Sequence, residues 1–243
     1  MTNDQHLAAD LATQAGHLLL EIRRELAEAT ANERRAAGDK RSHEFLLSAL
    51  TTHRPGDAVL SEEGVDDPAR LAAERVWIVD PLDGTREFAE PDRTDWAVHV
   101  ALWQAGELVA GAVALPAQGL TPATPSVSAP PPAPRAPRVV VSRTRPPAIA
   151  VNVCDHLGGT LMEMGSAGAK AMAVVQGLAD VYVHAGGQYE WDSAAPVAVA
   201  RAAGLHTSRI DGSPLSYNRP DPLLPDLLIC RPEHADAVLA LTR

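Results

Sequence analysis

A mixed α/β (α+β) fold is predicted by three features of this chain. Two amphipathic helical segments come before any strand. Apolar runs bounded by Pro or Gly follow them, and in the second half such runs alternate with helical segments. The 243 residues suit one large domain or two small ones sharing a core.

Taken in order, Leu7, Leu11, Ala15, Leu18, Leu19, Ile22 and Leu26 recur at helical spacing and predict a helix over 4–28, with Asp4 as its cap. Residues 29–39 are polar and aperiodic and read as a mobile loop. Phe45, Leu46, Ala49 and Leu50 mark the inner face of a second helix over 40–52. Arg54-Pro55-Gly56-Asp57 turns into a short strand, 58–60, that ends at Ser61-Glu62-Glu63. A short helix at 67–74 leads to a buried strand at 76–79. After a loop at 86–95, the runs 96–103 and 108–115 flank Ala105-Gly106 as a hairpin.

Residues 116–137 are mostly Pro, Ala, Ser and Thr, which bury too little apolar surface to offset their ordering entropy. They predict a flexible loop, 117–137, between an N-terminal half, 1–116, and a C-terminal half, 138–243. In the latter, strands are expected at 138–142, 179–184 and 226–230. Helices are expected at 147–157, 169–177, 192–203 and 233–241, with Gly204 ending the third.

The formal charge of −10 argues against a polymeric nucleic acid partner, which needs a basic face. A small anionic substrate remains compatible if metal ions supply positive charge. Aromatic residues make up only 4% of the chain, so Ala, Val and Leu must do most of the packing. Cys154 and Cys230 are too few for a disulfide framework and sit in no metal-ligand spacing. The N-terminus lacks a signal-peptide pattern and no run is long enough to span a bilayer, so no membrane association and a cytoplasmic location are expected.

The stretch with the clearest chemistry runs from Trp77 to Thr85. It leaves a buried strand and turns into Asp80-Pro81-Leu82-Asp83-Gly84-Thr85. Pro81 fixes its own φ and holds Asp80 extended, so Asp80 and Asp83 could face a shared space. Paired carboxylates suit hard cations; a hydroxyl and free amides beside Gly84 suit phosphate oxygens. An Asx-type turn capping a helix would use the same residues. Other acids also stand at element ends: Glu62 and Glu63 after one strand, Asp39 and Asp192 before helices, where capping is the ordinary role. If strand ends deliver these acids to one edge, they repel unless cations intervene. The nine histidines are scattered, with no pair at zinc-ligand spacing.

Asp80-Pro81-Leu82-Asp83-Gly84-Thr85, preceded by Ser61-Glu62-Glu63 and followed by Trp191-Asp192-Ser193-Ala194-Ala195, resembles the inositol monophosphatase superfamily of lithium-sensitive, magnesium-dependent phosphomonoesterases. The resemblance implies a layered α/β/α/β/α sugar-phosphatase fold. Pro55 to Glu63, Gly84-Thr85-Arg86-Glu87-Phe88, Gly165 to Ala171 and His184-Ala185-Gly186-Gly187 are most similar to the CysQ-type 3′(2′),5′-bisphosphate nucleotidases. That type implies removal of the 3′-phosphate of 3′-phosphoadenosine 5′-phosphate in sulfate assimilation. The alternatives are inositol monophosphatase or fructose-1,6-bisphosphatase activity, or a non-catalytic regulator that retains the fold.

Carried over residue by residue, the resemblance implies two or three Mg2+ ions, with Li+ inhibitory. Glu62, Asp80 and the Leu82 carbonyl would hold one, and Asp80, Asp83 and Asp192 a second. Asp39, hydrogen-bonded to Thr85, would help take the proton of the attacking water, which makes Asp39, Thr85 and Glu62 the catalytic set. Gly84, Thr85, Ser166, Lys170 and His184 would contact a small phosphorylated substrate. Lys170 and the loop from His184 to Glu190 would set specificity. Ala185 stands where inositol-phosphate enzymes place a sugar-binding carboxylate, and the segment before Asp39 lacks the lysine that many relatives carry. Monomer and homodimer are both compatible with the sequence.

Overall fold

The computed structural model describes residues 2–129, 131 and 135–242. Two long helices open the chain: α1 (Asn3–Glu25) and α2 (Ala31–His53). Thr2 and Thr30 cap them, each with a reciprocal partner three residues on, Gln5 and Glu33. The expected loop at 29–39 is therefore wrong. A capping box outweighs a weak apolar pattern, and Asp39 lies inside α2, not before it.

The strands of the first half are β1 (Ala58–Ser61), β2 (Arg75–Asp83), β3 (Ala97–Gln104) and β4 (Glu107–Ala114), paired in that order. β1 runs parallel to β2, and the remaining pairs are antiparallel. The short helix expected at 67–74 is a 3-10 turn over Pro68–Ala72. The loop expected at 86–95 begins with a short helix, α3 (Thr85–Ala89).

The second half contains β5 (Arg138–Ser142), α4 (Ala148–His156), β6 (Thr160–Met164), α5 (Ala167–Val175), β7 (Val181–Tyr189), α6 (Glu190–Ala202), β8 (His206–Ser208), β9 (Leu223–Cys230) and α7 (Pro232–Thr242). Its sheet has the order β6-β5-β7-β9-β8. The parallel edge strand β6 and the short β8 were not legible as strands. β6 is interrupted by Glu163 between Met162 and Met164, and β8 is polar throughout. His184 to Glu190 is mainly strand rather than loop, with a bulge between Ala185 and Gln188.

Alternation along the strands sorts the core into layers. Trp77, Val79, Val98, Val100 and Leu102 face α1 and α2. Val76, Ile78, Ala101, Val140, Tyr182 and Ile229 face inward around α5 and α6, which lie between the sheets. Val139, Val141, Val181 and Leu228 pack with Val153 of α4 and Val238 of α7. The order is helices, sheet, helices, sheet, helices, as expected.

Residues 116–129 of the Pro/Ala-rich segment are tied to β4: Thr124 N donates to the Gly111 carbonyl (2.9 Å), and Leu115 N to the Leu120 carbonyl (2.8 Å). Pro130 and residues 132–134 of the expected flexible loop lie outside the described residues. Among the described residues, no helix is long and apolar enough to cross a membrane.

Candidate active site

The buried face of β2 carries the motif to the edge of the first sheet. Its pairing with β3 breaks register between Asp80 and Asp83, as a proline in an interior strand requires. Ser42 Oγ of α2 donates to the Pro81 carbonyl at 2.7 Å, and Leu82 N donates to Asp80 Oδ1 at 3.0 Å. These bonds fix the corner. Gly84 then adopts φ +83°, and a Cβ there would stand 2.9 Å from Ser166 Cβ, so glycine is required twice over.

α2 passes close over this corner because residue 38 is glycine: a Cβ would meet Leu82 and Phe88 side chains at 2.8 Å. That approach brings Asp39 to the Thr85 hydroxyl, 3.5 Å from Asp39 Oδ1 and 3.2 Å from the Leu82 carbonyl. One hydroxyl proton thus serves two acceptors. Burial, then the charge of Glu63, pushes the Asp39 carboxyl up to about 6.

Asp80, Asp83 and Asp192 each offer an oxygen, and these atoms lie within 4.8 Å of one another. Asp80 is buried, and desolvation followed by the charges of Glu62, Asp83 and Asp192 pushes its carboxyl well above the usual range. Loss of water and repulsion from Asp83, Glu63 and Asp39 raise Glu62 to about 7. Asp192, raised to about 7 by burial and by Asp83, also accepts Tyr189 N at 2.7 Å and caps α6. It is therefore both cap and cluster member. The donor set is all oxygen and mutually repelling, with Asp80 and Asp83 buried and Asp192 half-buried, which fits a hard divalent cation.

Asp83 is held differently. Its oxygens accept Ser166 Oγ (2.5 Å), Ala167 N (3.0 Å) and Gly168 N (2.6 Å), all at the start of α5. His99 Nε2 lies 3.2 Å from Asp83 Oδ2, and its Nδ1 is 2.9 Å from the Trp191 carbonyl. Burial opposes ionisation, but His99, Ser166 and Lys170 outweigh it and hold Asp83 at about 2.

The expected substrate residues divide. Gly84, Thr85, Ser166 and Lys170 line one cavity of about 250 Å³ beside the acids. His184 is not part of its lining, and His184 Nε2 lies 2.6 Å from the Gly186 carbonyl. Lys170 is buried, and its Nζ donates to the Gly165 and Ser166 carbonyls at 2.9 and 2.6 Å. Ser166 has φ +40°, a strained value for a non-glycine, supported by its bond to Asp83 and by capping Ala169 N at 2.9 Å.

Sequence reasoning missed His99, whose signal was a lone polar residue within the apolar run 97–102. It also missed Asp95, which accepts Gly165 N at 2.5 Å and joins the two halves.

Residues 2–130 and 134–243 match the inositol monophosphatase family. The chain belongs to that family. It is 51% identical to the 3′-phosphoadenosine 5′-phosphate phosphatase of Mycobacterium leprae, covering 99% of this chain and 93% of the relative. It is 54% identical to the protein of the same name in Mycobacterium tuberculosis, over 93% and 88%. The Escherichia coli 3′(2′),5′-bisphosphate nucleotidase CysQ is 32% identical over 74% and 78%. Among solved structures, CysQ of Bacteroides thetaiotaomicron superimposes with a TM-score of 0.75 at 28% identity, covering 94% of this chain and 97% of that one.

Proposed function

We propose that this chain is a Mg2+-dependent phosphomonoesterase that removes the 3′-phosphate of 3′-phosphoadenosine 5′-phosphate, giving AMP and phosphate. The observation that carries the reading is the placement of a buried, repelling acid cluster directly beside a cavity lined by Thr85 and several cations. The substrate follows from the relatives that carry this activity in their names at 51 and 54% identity.

Glu62, Asp80, the Leu82 carbonyl, Asp83 and Asp192 are the residues that would hold Mg2+. When bound, the ion would lower the pKa of water and stabilise charge developing on phosphate oxygens. The chain's own residues do the rest. Asp39, ionised above about pH 6, accepts the proton of the attacking water through the Thr85 hydroxyl. The water oxygen bonds phosphorus as the bond to the ribose 3′-oxygen breaks; the leaving oxygen takes a proton from solvent, and Asp39 returns its own to solvent afterwards. Gly84, held at positive φ, exposes the neighbouring backbone to the phosphate. Inhibition by Li+, a place in sulfate assimilation and a cytoplasmic location belong to the same reading.

Phosphate release should be measured with 3′-phosphoadenosine 5′-phosphate, inositol 1-phosphate and fructose 1,6-bisphosphate, with Mg2+ and with added Li+. The expected result is Mg2+-dependent, Li+-inhibited release with the highest kcat/KM on the nucleotide. A preference for inositol 1-phosphate would overturn the substrate assignment. Absence of release from all three would favour a regulator.

A further inference from the structure

We propose that Arg86 and Arg145 form an anion subsite for the second phosphate of a bisphosphorylated substrate, the group that is not cleaved. This rests on the nucleotidase reading and adds the residues that select two phosphates over one. The cavity lined by Gly84 and Thr85 is also lined by Arg86, Arg143, Arg145 and Lys170. Among the described residues, Glu87 is the sole carboxylate on its lining. In a chain of net charge −10, that local excess of cations lies directly against the acid cluster.

The four cations differ in what they already hold. Arg143 donates to Glu87 Oε1 at 2.6 Å and Glu90 Oε1 at 2.5 Å, so its guanidinium is spent on the cavity wall. Lys170 is turned onto the Gly165 and Ser166 carbonyls. Arg86 and Arg145 are exposed, and among the described residues neither makes an ion pair.

Both are placed by local structure. Arg86 follows Thr85 in the first turn of α3, so its position is tied to the site of the cleaved phosphate. Arg145 N donates to Ser142 Oγ at 3.3 Å, and Pro146 restricts Arg145 to an extended backbone. Two arginines from separate segments that line one cavity bring the chemistry for forked recognition of a phosphate. The two phosphates of a ribose 3′,5′-bisphosphate sit on C3′ and C5′ of a single sugar unit, with only C4′ between those carbons. A ligand with one phosphate at Thr85 would therefore keep its second within this cavity.

The test compares 3′-phosphoadenosine 5′-phosphate with adenosine 3′-monophosphate, which offers the same scissile ester without the second phosphate. Arg145→Gln and Arg86→Gln are each expected to lower the ratio of kcat/KM, bisphosphate over monophosphate, by about 10- to 100-fold, chiefly through KM. A ratio within twofold of wild type, whether both substrates suffer together or neither does, overturns the subsite. Binding of AMP and of adenosine to the Mg2+-loaded protein gives a readout that needs no turnover. Wild type should bind AMP at least tenfold tighter than adenosine, and Arg145→Gln should remove most of that difference. Equal affinities in wild type overturn the subsite. If wild type releases no phosphate from the bisphosphate, the nucleotidase reading falls and the AMP measurement alone decides the subsite.

Discussion

Asp80 and Asp83 stand three residues apart on one strand end, yet the fold treats them oppositely. Burial raises the pKa of both. Asp80 faces Glu62, Asp83 and Asp192 and is pushed well above the ordinary carboxylate range. Asp83 turns toward the start of α5 in the second half, and those donors together with His99 of β3 hold it at about 2. The first half thus supplies most of the negative charge, with Asp192 added from the second, and the start of α5 supplies backbone donors that, with His99, tame part of it. Neither half contains the site alone. Carboxylates kept in a repelling, buried state cost stability, and such groups cluster at functional sites.

The largest expected effect lies with Asp39. Asp39→Asn should lower kcat by about 10²- to 10⁴-fold, and the wild-type acid limb near pH 6 should vanish from the steady-state pH profile. Because its folded pKa is raised from 3.8 to about 6, the native state binds this proton more readily than the unfolded chain. Its contribution therefore makes the fold less stable as pH rises through that window.

Asp83→Asn should cost about 2–4 kcal/mol in urea denaturation at neutral pH. Both Asp83 oxygens accept backbone N–H groups, so an amide nitrogen at either position would face a donor. The corresponding stability is fully present above the unfolded value of 3.8 and is lost as pH falls toward 2. Gly168→Ala should be somewhat milder, about 1–3 kcal/mol by calorimetry. Its Cβ would lie 2.0 Å from His99 Nε2 and must push the ring off Asp83.

The smallest effect has the opposite sign. Asp80→Asn, measured with no divalent cation, should stabilise the protein by up to about 2 kcal/mol by removing an unfavourable buried charge. The Asn oxygen can still accept Leu82 N. Loss of stability in both aspartate variants would break the contrast between the two positions.

The acid side of the site was legible because Asp80 to Thr85 is contiguous and bounded by Pro81 and Gly84, whose backbone limits can be read without coordinates. The mixed α/β class was legible from apolar runs and helical periodicity, whereas the layering followed only from the family resemblance. Asp39 was placed as a ligand-side acid but on the wrong local structure, since one Thr-Glu capping box extended α2 across a polar segment. The basic cavity was only partly legible: it assembles from residues 84–87, 142–145 and 165–170, which no local pattern joins. Lys170 was expected to grip phosphate, but its nearest partners are carbonyls within its own loop. His99 was hidden for a related reason, because a lone buried histidine acquires meaning only from what α5 and α6 bring to it.

The central claim is that the buried acids exist for metal-dependent phosphate release, not for the fold. Its most direct test is phosphate release from 3′-phosphoadenosine 5′-phosphate at saturating Mg2+ by wild type and Asp80→Asn, with the melting temperature of each sample recorded. The account predicts activity at least about 10³-fold lower in the variant, with a melting temperature unchanged or higher. Activity within tenfold of wild type in a folded Asp80→Asn protein would contradict it.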